Sequence, residues 1–244
     1  MKKRFIICPA VTLFSFLISI TSHSQEIFEQ YLSKDSFNTQ RESLRAAFGK
    51  DKTIPTEIEI ECLAALSYYP ELKNTKIIFK FGSPFSTMVS KPKLKSLFRS
   101  GGEREYQVII RKPGTSKNGL EWSELSFNAF VGWVAHELGH IVHYSHKTSA
   151  GVLCTGIKYT FPGYRRRMER FTDNLVIQHD LGYALLEGTD YSINYSKAKT
   201  QYKKYLRKFY LSPTEIKSRV ASKNHYRVIY RSTKVVRVDA IAKS

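Results

Sequence analysis

Two histidines four residues apart flank a glutamate in the run His136-Glu137-Leu138-Gly139-His140. On an α-helix, residues at i and i+4 stand one above the other on one face, so both imidazoles can reach a single ion. Imidazole nitrogen suits Zn2+. Glu137 falls about 100° round the helix from His136. There it borders the ion instead of binding it, and can take a proton from a water activated by the metal. The bland alternative is a helix with two surface histidines and a glutamate. Val134, Ala135, Leu138, Ile141 and Val142 argue against that alternative, because polar groups among so many apolar neighbours need partners.

A catalytic zinc takes three protein ligands and keeps one position open for water. Two residues compete for the third place. Glu169, in Glu169-Arg170-Phe171-Thr172-Asp173, is one. Asp173, one turn further on, would then hold the distal N–H of a ligand histidine. His146, ten residues after His136, is the alternative. It needs the chain to turn back just after His140, and the residue placed to allow that turn is His143, not a glycine. A straight helix keeps His143 on the ligand face and turns His146 away, which favours Glu169. His143 itself reads as a pocket-edge or core histidine. His179 and His225 have no metal-binding spacing.

These side chains need elements to hold them. Leu125, Phe130, Val131, Val134, Leu138, Ile141 and Val142 recur at helical spacing and imply a buried central helix. Ser123 is its expected cap, with Glu124 at its positive end. A second helix is expected from about Arg165 to His179, with Gly182 as its stop signal. Upstream, Pro55 opens a helix whose apolar stripe runs from Ile58 to Tyr69 and stops before Pro70. Lys76–Phe81, Ser86–Ser90 and Tyr106–Arg111 read as strands between Gly and Pro punctuation. Their close spacing predicts a small antiparallel or mixed sheet. Residues 25–50 suit a short helix or an extended lead-in. Helical segments at about 195–209 and 213–223, then a β-like tail from Tyr226 to Val238, complete the chain.

The chain has 244 residues and a formal charge of +18. Lys2, Lys3 and Arg4 precede an apolar run from Phe5 to Ile20, and Ser22 and Ser24 occupy the small-residue positions before Gln25. That order predicts a signal peptide over residues 1–24, cleaved near Ser24/Gln25, and a secreted or periplasmic protein. Its removal takes away three cations and no acid, lowering +18 to +15. Lys91–Lys95, Arg165–Arg167 and Lys197–Lys208 are the densest basic clusters. Solvated faces account for them; the sharper reading is attraction to an anionic envelope surface or to acidic substrates. No nucleic-acid motif is present. Cys62 and Cys154 either pair or remain two buried thiols.

At this point the chain resembles the zincin metallopeptidases. More narrowly it is similar to the gluzincin branch, in which a downstream helix supplies a Glu ligand followed by an Asp. The resemblance covers His136 to Asp173 and extends back toward Pro55 through the order helix, strands, active-site helix. It implies an α+β, zincin-like domain over residues 25–244. A small N-terminal sheet and central helix (lobe about 50–146) would face a mainly helical lobe (about 147–244) across a cleft. It implies a peptide or protein substrate and Zn2+ held by His136, His140 and Glu169. Glu137 would serve as general base, passing a proton from water to the leaving amine. An extended substrate would join an exposed sheet edge, for which Tyr106–Arg111 is the candidate. Tyr144, Tyr159, Tyr164 and Tyr183 are candidates to stabilise the oxyanion. Three other readings remain: a catalytically silent zincin-like domain used for envelope binding, a metzincin-like peptidase with His146 as third ligand, and a cationic binding protein whose histidine motif is accidental.

Overall fold

The computed structural model describes residues 31–100 and 103–223. The signal-like residues 1–24, His225 and the Tyr226–Val238 tail lie outside them. The architecture is α+β, with a four-stranded mixed sheet packed under a set of helices.

Two short helices lead in, α1 (Lys34–Thr39) and α2 (Arg41–Phe48). Leu32 fixes their start to the central helix, its N–H donating to Asn128 Oδ1 at 2.9 Å. Strand β1 (Lys52–Thr53) follows, and then α3 (Glu59–Ser67), entered through a single 3-10 turn after Pro55. The sheet is completed by β2 (Lys76–Gly82), β3 (Met88–Pro92) and β4 (Glu105–Arg111). Its order is β1-β2-β4-β3. β1, β2 and β4 are parallel, with Phe79 opposite Val108, while β3 runs antiparallel to β4, with Ser90 opposite Val108. Ile77 and Phe79 on β2, and Tyr106, Val108 and Ile110 on β4, are buried at period two, which presents one apolar face to the helices.

One expectation is corrected here, and one open alternative is decided. Tyr106–Arg111 is an inner strand, flanked by β2 and β3, so it is no free edge; β1 and β3 are the edges. The Val and Ile content that marked the run as a strand is what a strand bonded on both sides requires. The cysteines do not pair: Cys62 is a buried free thiol and Cys154 an exposed one.

The central helix α4 spans Phe127–Ser145, and every residue from Ala129 to Val142 is buried. It is capped by Ser126, whose Oγ accepts from Ala129 N at 3.1 Å, and not by Ser123. Trp122–Glu124 instead forms a 3-10 turn, held in place where the Trp122 indole donates to Arg111 O at 2.9 Å. α5 (Ser149–Lys158), α6 (Pro162–Gln178), α7 (Gly182–Asp190), a π-helical turn (Tyr191–Tyr195) and α8 (Thr200–Phe209) follow. A last helical run covers residues 213–223. α5 and α7 had no expectation attached. Gly182 opens α7 instead of merely stopping α6. The stop is Asp180, which takes the left-handed conformation (φ 65°) that glycine more often supplies.

α4 packs against α3, β3, α6 and α7. Gly132 lets α7 approach so closely that an added Cβ would collide with the Ala184 carbonyl. Leu66, Val108, Leu138, Val176, Leu206 and Val220 belong to a single apolar cluster, so residues on both sides of position 146 share one core. No helix among the described residues is long and apolar enough to cross a membrane.

Candidate metal centre

α4 and α6 cross at Gly139, where an added Cβ would stand 2.8 Å from Thr172 Cγ2. That close approach brings Glu169 to the two histidines. Glu169 Oε2 lies 2.9 Å from His136 Nε2 and 3.2 Å from His140 Nε2. All three side chains are buried, and their ligand atoms lie within 4.8 Å of one another. Ligands about 2.1 Å from a tetrahedral ion stand roughly 3.4 Å apart, close to the two separations seen. Among the described residues this is the group able to hold a metal ion.

The surroundings orient each ligand. His136 Nδ1 lies 2.9 Å from Asp173 Oδ1. An ionised carboxylate only accepts, so Nδ1 donates and Nε2 is the atom directed at the metal position. Asp173 is steadied in turn by Leu211 N, which donates to its Oδ2 at 2.8 Å. Thr172 Oγ1 gives its hydrogen to Met168 O at 2.9 Å, which leaves its lone pair for His140 Nδ1 at 3.3 Å. The Tyr159 hydroxyl donates to Glu169 Oε1. Burial pushes the His136 imidazole down, but the hydrogen bonds and charges of Asp173 and Glu169 outweigh it and hold the ring well above its ordinary value. Burial likewise pushes the Glu169 carboxyl up, and His140 and His136 outweigh that, holding it low. Without a metal the cluster is therefore a carboxylate clasped by a cationic imidazole.

Glu137 is different. It is buried, at 6% exposure, yet its carboxylate has no hydrogen bond or ion pair among the described residues.

His146 is exposed and caps the C-terminus of α4, outside the metal-capable group. α4 stays helical through Ser145. Buried Arg104 secures that end by donating to Tyr144 O at 3.2 Å and Lys147 O at 2.7 Å. His143 sits at the edge of the site, its ring 5.5 Å from Phe171. Its Nε2 is buried without a partner among the described residues. Burial, with the charges of Lys147, His140 and His146, pulls the His143 imidazole down to about 4. His179 stacks on Tyr69 at 4.1 Å and reaches Glu71 Oε1 at 2.7 Å, well apart from this cluster in its partners.

Of the tyrosines expected near the oxyanion, Tyr144 stacks 6.3 Å from His140, Tyr164 lies under Arg167, and Tyr159 is engaged by Glu169. Tyr183 lies on α7. The tyrosine ring packed against His136 belongs to none of these. Tyr210 is 5.2 Å from it, and its hydroxyl has no hydrogen bond among the described residues. Burial first, then the charge of Glu169, keeps the Tyr210 phenol protonated well above its usual range. Sequence reasoning missed Tyr210, Leu211 and Thr172. Thr172 had a signal, three residues after Glu169 and hence on its face. Tyr210 and Leu211 come from beyond α8 and had none.

No protein-family model, no curated protein and no solved structure matches this chain.

Proposed function

We propose that this protein is a zincin-like, zinc-dependent peptidase. Zn2+ would be held by His136, His140 and Glu169, and Glu137 would act as general base. The observation that carries this reading is the contrast within the site. Three buried donors converge, each oriented by a hydrogen-bond partner, and beside them stands the Glu137 carboxylate with no protein partner among the described residues. A structural ion pair has no need of the second.

Two nitrogens and one carboxylate oxygen, with no thiolate, form a donor set typical of a catalytic zinc site that keeps an open position. When bound, Zn2+ acidifies a water and polarises a carbonyl. Every other part belongs to the chain. Asp173 and Thr172 hold the imidazoles in the tautomers that leave Nε2 free. Glu137 accepts the proton of the attacking water and delivers it to the leaving amine. Tyr210, kept protonated, donates a hydrogen bond to the developing oxyanion. β3, an edge strand packed on α4, offers unpaired backbone groups to an extended peptide. The reading places the mature protein outside the cytoplasm, on the signal-like order of residues 1–24.

The test is digestion of a diverse peptide pool by the zinc-loaded protein and by protein stripped with a chelator, read by mass spectrometry. Cuts that vanish on stripping and return with zinc are expected. An absence of cuts by protein that demonstrably holds zinc would favour the silent binding domain.

A further inference from the structure

Between Glu137 and Glu169 the chain has no aspartate or glutamate, and none stands between Asp190 and Glu215. Lysines and arginines recur through both stretches, most of them exposed on α5, α6 and α8. Arg165 is held differently. Its guanidinium lies 4.9 Å over the Tyr159 ring and 5.3 Å over the Phe209 ring. Its Nε donates to Tyr159 O at 3.1 Å. Those contacts leave N–H donors of the fork unused. No carboxylate pairs with it among the described residues.

Its position relates it to the metal centre. Arg165 precedes Glu169 by four residues on α6, so the two share a helix face one turn apart. Tyr159 serves both: its ring carries the guanidinium, and its hydroxyl donates to Glu169. A fixed, unneutralised cation therefore stands one phenol ring from the metal ligands.

The start of α6 breaks a local rule. Pro162 suits its first position, but Phe161 gives it no side-chain cap, no acid occupies its first turn, and Arg165 closes that turn with Arg166 and Arg167 just beyond. Cations there oppose the helix dipole. None of the three has an ion-pair partner among the described residues. An anion at this turn would offset the missing cap and the cation together.

We infer that Arg165 and the first turn of α6 bind a carboxylate of the peptide substrate, so that the cleaved bond lies near an acidic side chain or the free C-terminus. This rests on the peptidase reading above. The guanidinium fork matches a planar carboxylate, and its aromatic clamp removes the freedom it would otherwise lose on binding.

The experiment compares matched fluorescent peptides: Glu against Gln beside the cut, and a free C-terminal acid against its amide. Wild type, Arg165→Met and Arg165→Lys are each assayed for zinc content, for cleavage when zinc-loaded, and for binding by fluorescence anisotropy when zinc-free. Wild type is expected to favour one carboxylate-bearing member by about 10- to 100-fold in kcat/KM, the size of a charge-assisted hydrogen bond. Which pair discriminates identifies the source of the carboxylate. Arg165→Met should erase that preference while retaining zinc, slowing the carboxylate-bearing peptide far more than the neutral one. Arg165→Lys should keep part of it, and it carries the test if the Met variant unfolds. No preference in wild type, or equal slowing of every peptide by Arg165→Met, overturns the inference. If nothing is cut, the peptidase reading fails by itself. The anisotropy preference then decides Arg165: its presence in wild type and loss in Arg165→Met sustain the carboxylate site, and its absence overturns it.

Discussion

His136 and Glu137 are neighbours on one helix, buried to 1% and 6% exposure, and they lead opposite lives. Both nitrogens of His136 have partners, Asp173 and Glu169, and Asp173 is itself anchored by Leu211. Glu137 has none among the described residues. The Glu137 oxygens are not among the buried unpartnered atoms of the described residues, so what exposure the residue has reaches its carboxylate, which no protein group engages. The comparison separates side chains locked to one another from one that no protein group engages, which on the proposed reading is the one that meets a reacting molecule.

Breaking the partnered side should give the largest effect. Glu169→Ala removes the carboxylate between two imidazoles and leaves buried His136 with Asp173 as its remaining carboxylate partner. The metal-free protein is expected to lose about 3–5 kcal/mol of stability, seen in denaturant titration, and to retain little zinc in metal analysis. Full zinc retention would move the third ligand elsewhere. A smaller change sharpens the same side. Asp173→Asn keeps the size but weakens the hold on His136 Nδ1. Zinc affinity, measured by competition with a chelator, should fall about 10- to 100-fold.

Gly139→Ala tests the helix crossing that brings the partners together. The added methyl meets Thr172 Cγ2, and a loss of about 1–3 kcal/mol is expected, with weaker zinc binding alongside. An unchanged melting temperature would show that α6 yields freely. The smallest effect is a matter of protons. The raised His136 imidazole carries a proton in the metal-free protein, and zinc must displace it. Apparent zinc affinity should therefore rise about tenfold per pH unit while that proton is bound. Titration calorimetry in buffers of different ionisation enthalpy reads the released proton directly. The sign is opposite for the metal-free fold. The stability His136 contributes is complete below its unfolded pKa of about 6.5 and is lost as pH rises through the raised folded value.

The helix bearing the metal motif was legible because burial and spacing agree along it: apolar residues from Phe130 to Val142 enclose His136 and His140. Glu169 and Asp173 were legible as a pair one turn apart on a second helix. Which residue joins the two histidines stayed open between Glu169 and His146, because spacing along a chain does not show which helices cross. Gly139, inside the motif, was the crossing point, and its meaning depends on Thr172, which only the fold brings near. The start of α4 was misplaced by three residues since Ser123 and Ser126 are equally good caps, and the Trp122–Arg111 bond decides between them. Tyr106–Arg111 looked like an edge because sheet order is not written in strand composition. Tyr210 and Leu211 reach the site from beyond α8, a tertiary closure with no local signature.

The most direct measurement is on Glu137→Gln, with zinc content, melting temperature and peptide cleavage taken on the same preparation beside wild type. The variant is expected to hold zinc as wild type does and to melt no lower, since no partner is lost. Cleavage should fall by about 10²- to 10⁴-fold. Loss of zinc, loss of stability, or undiminished cleavage would contradict the assignment of Glu137 as the base of a metal-dependent peptidase.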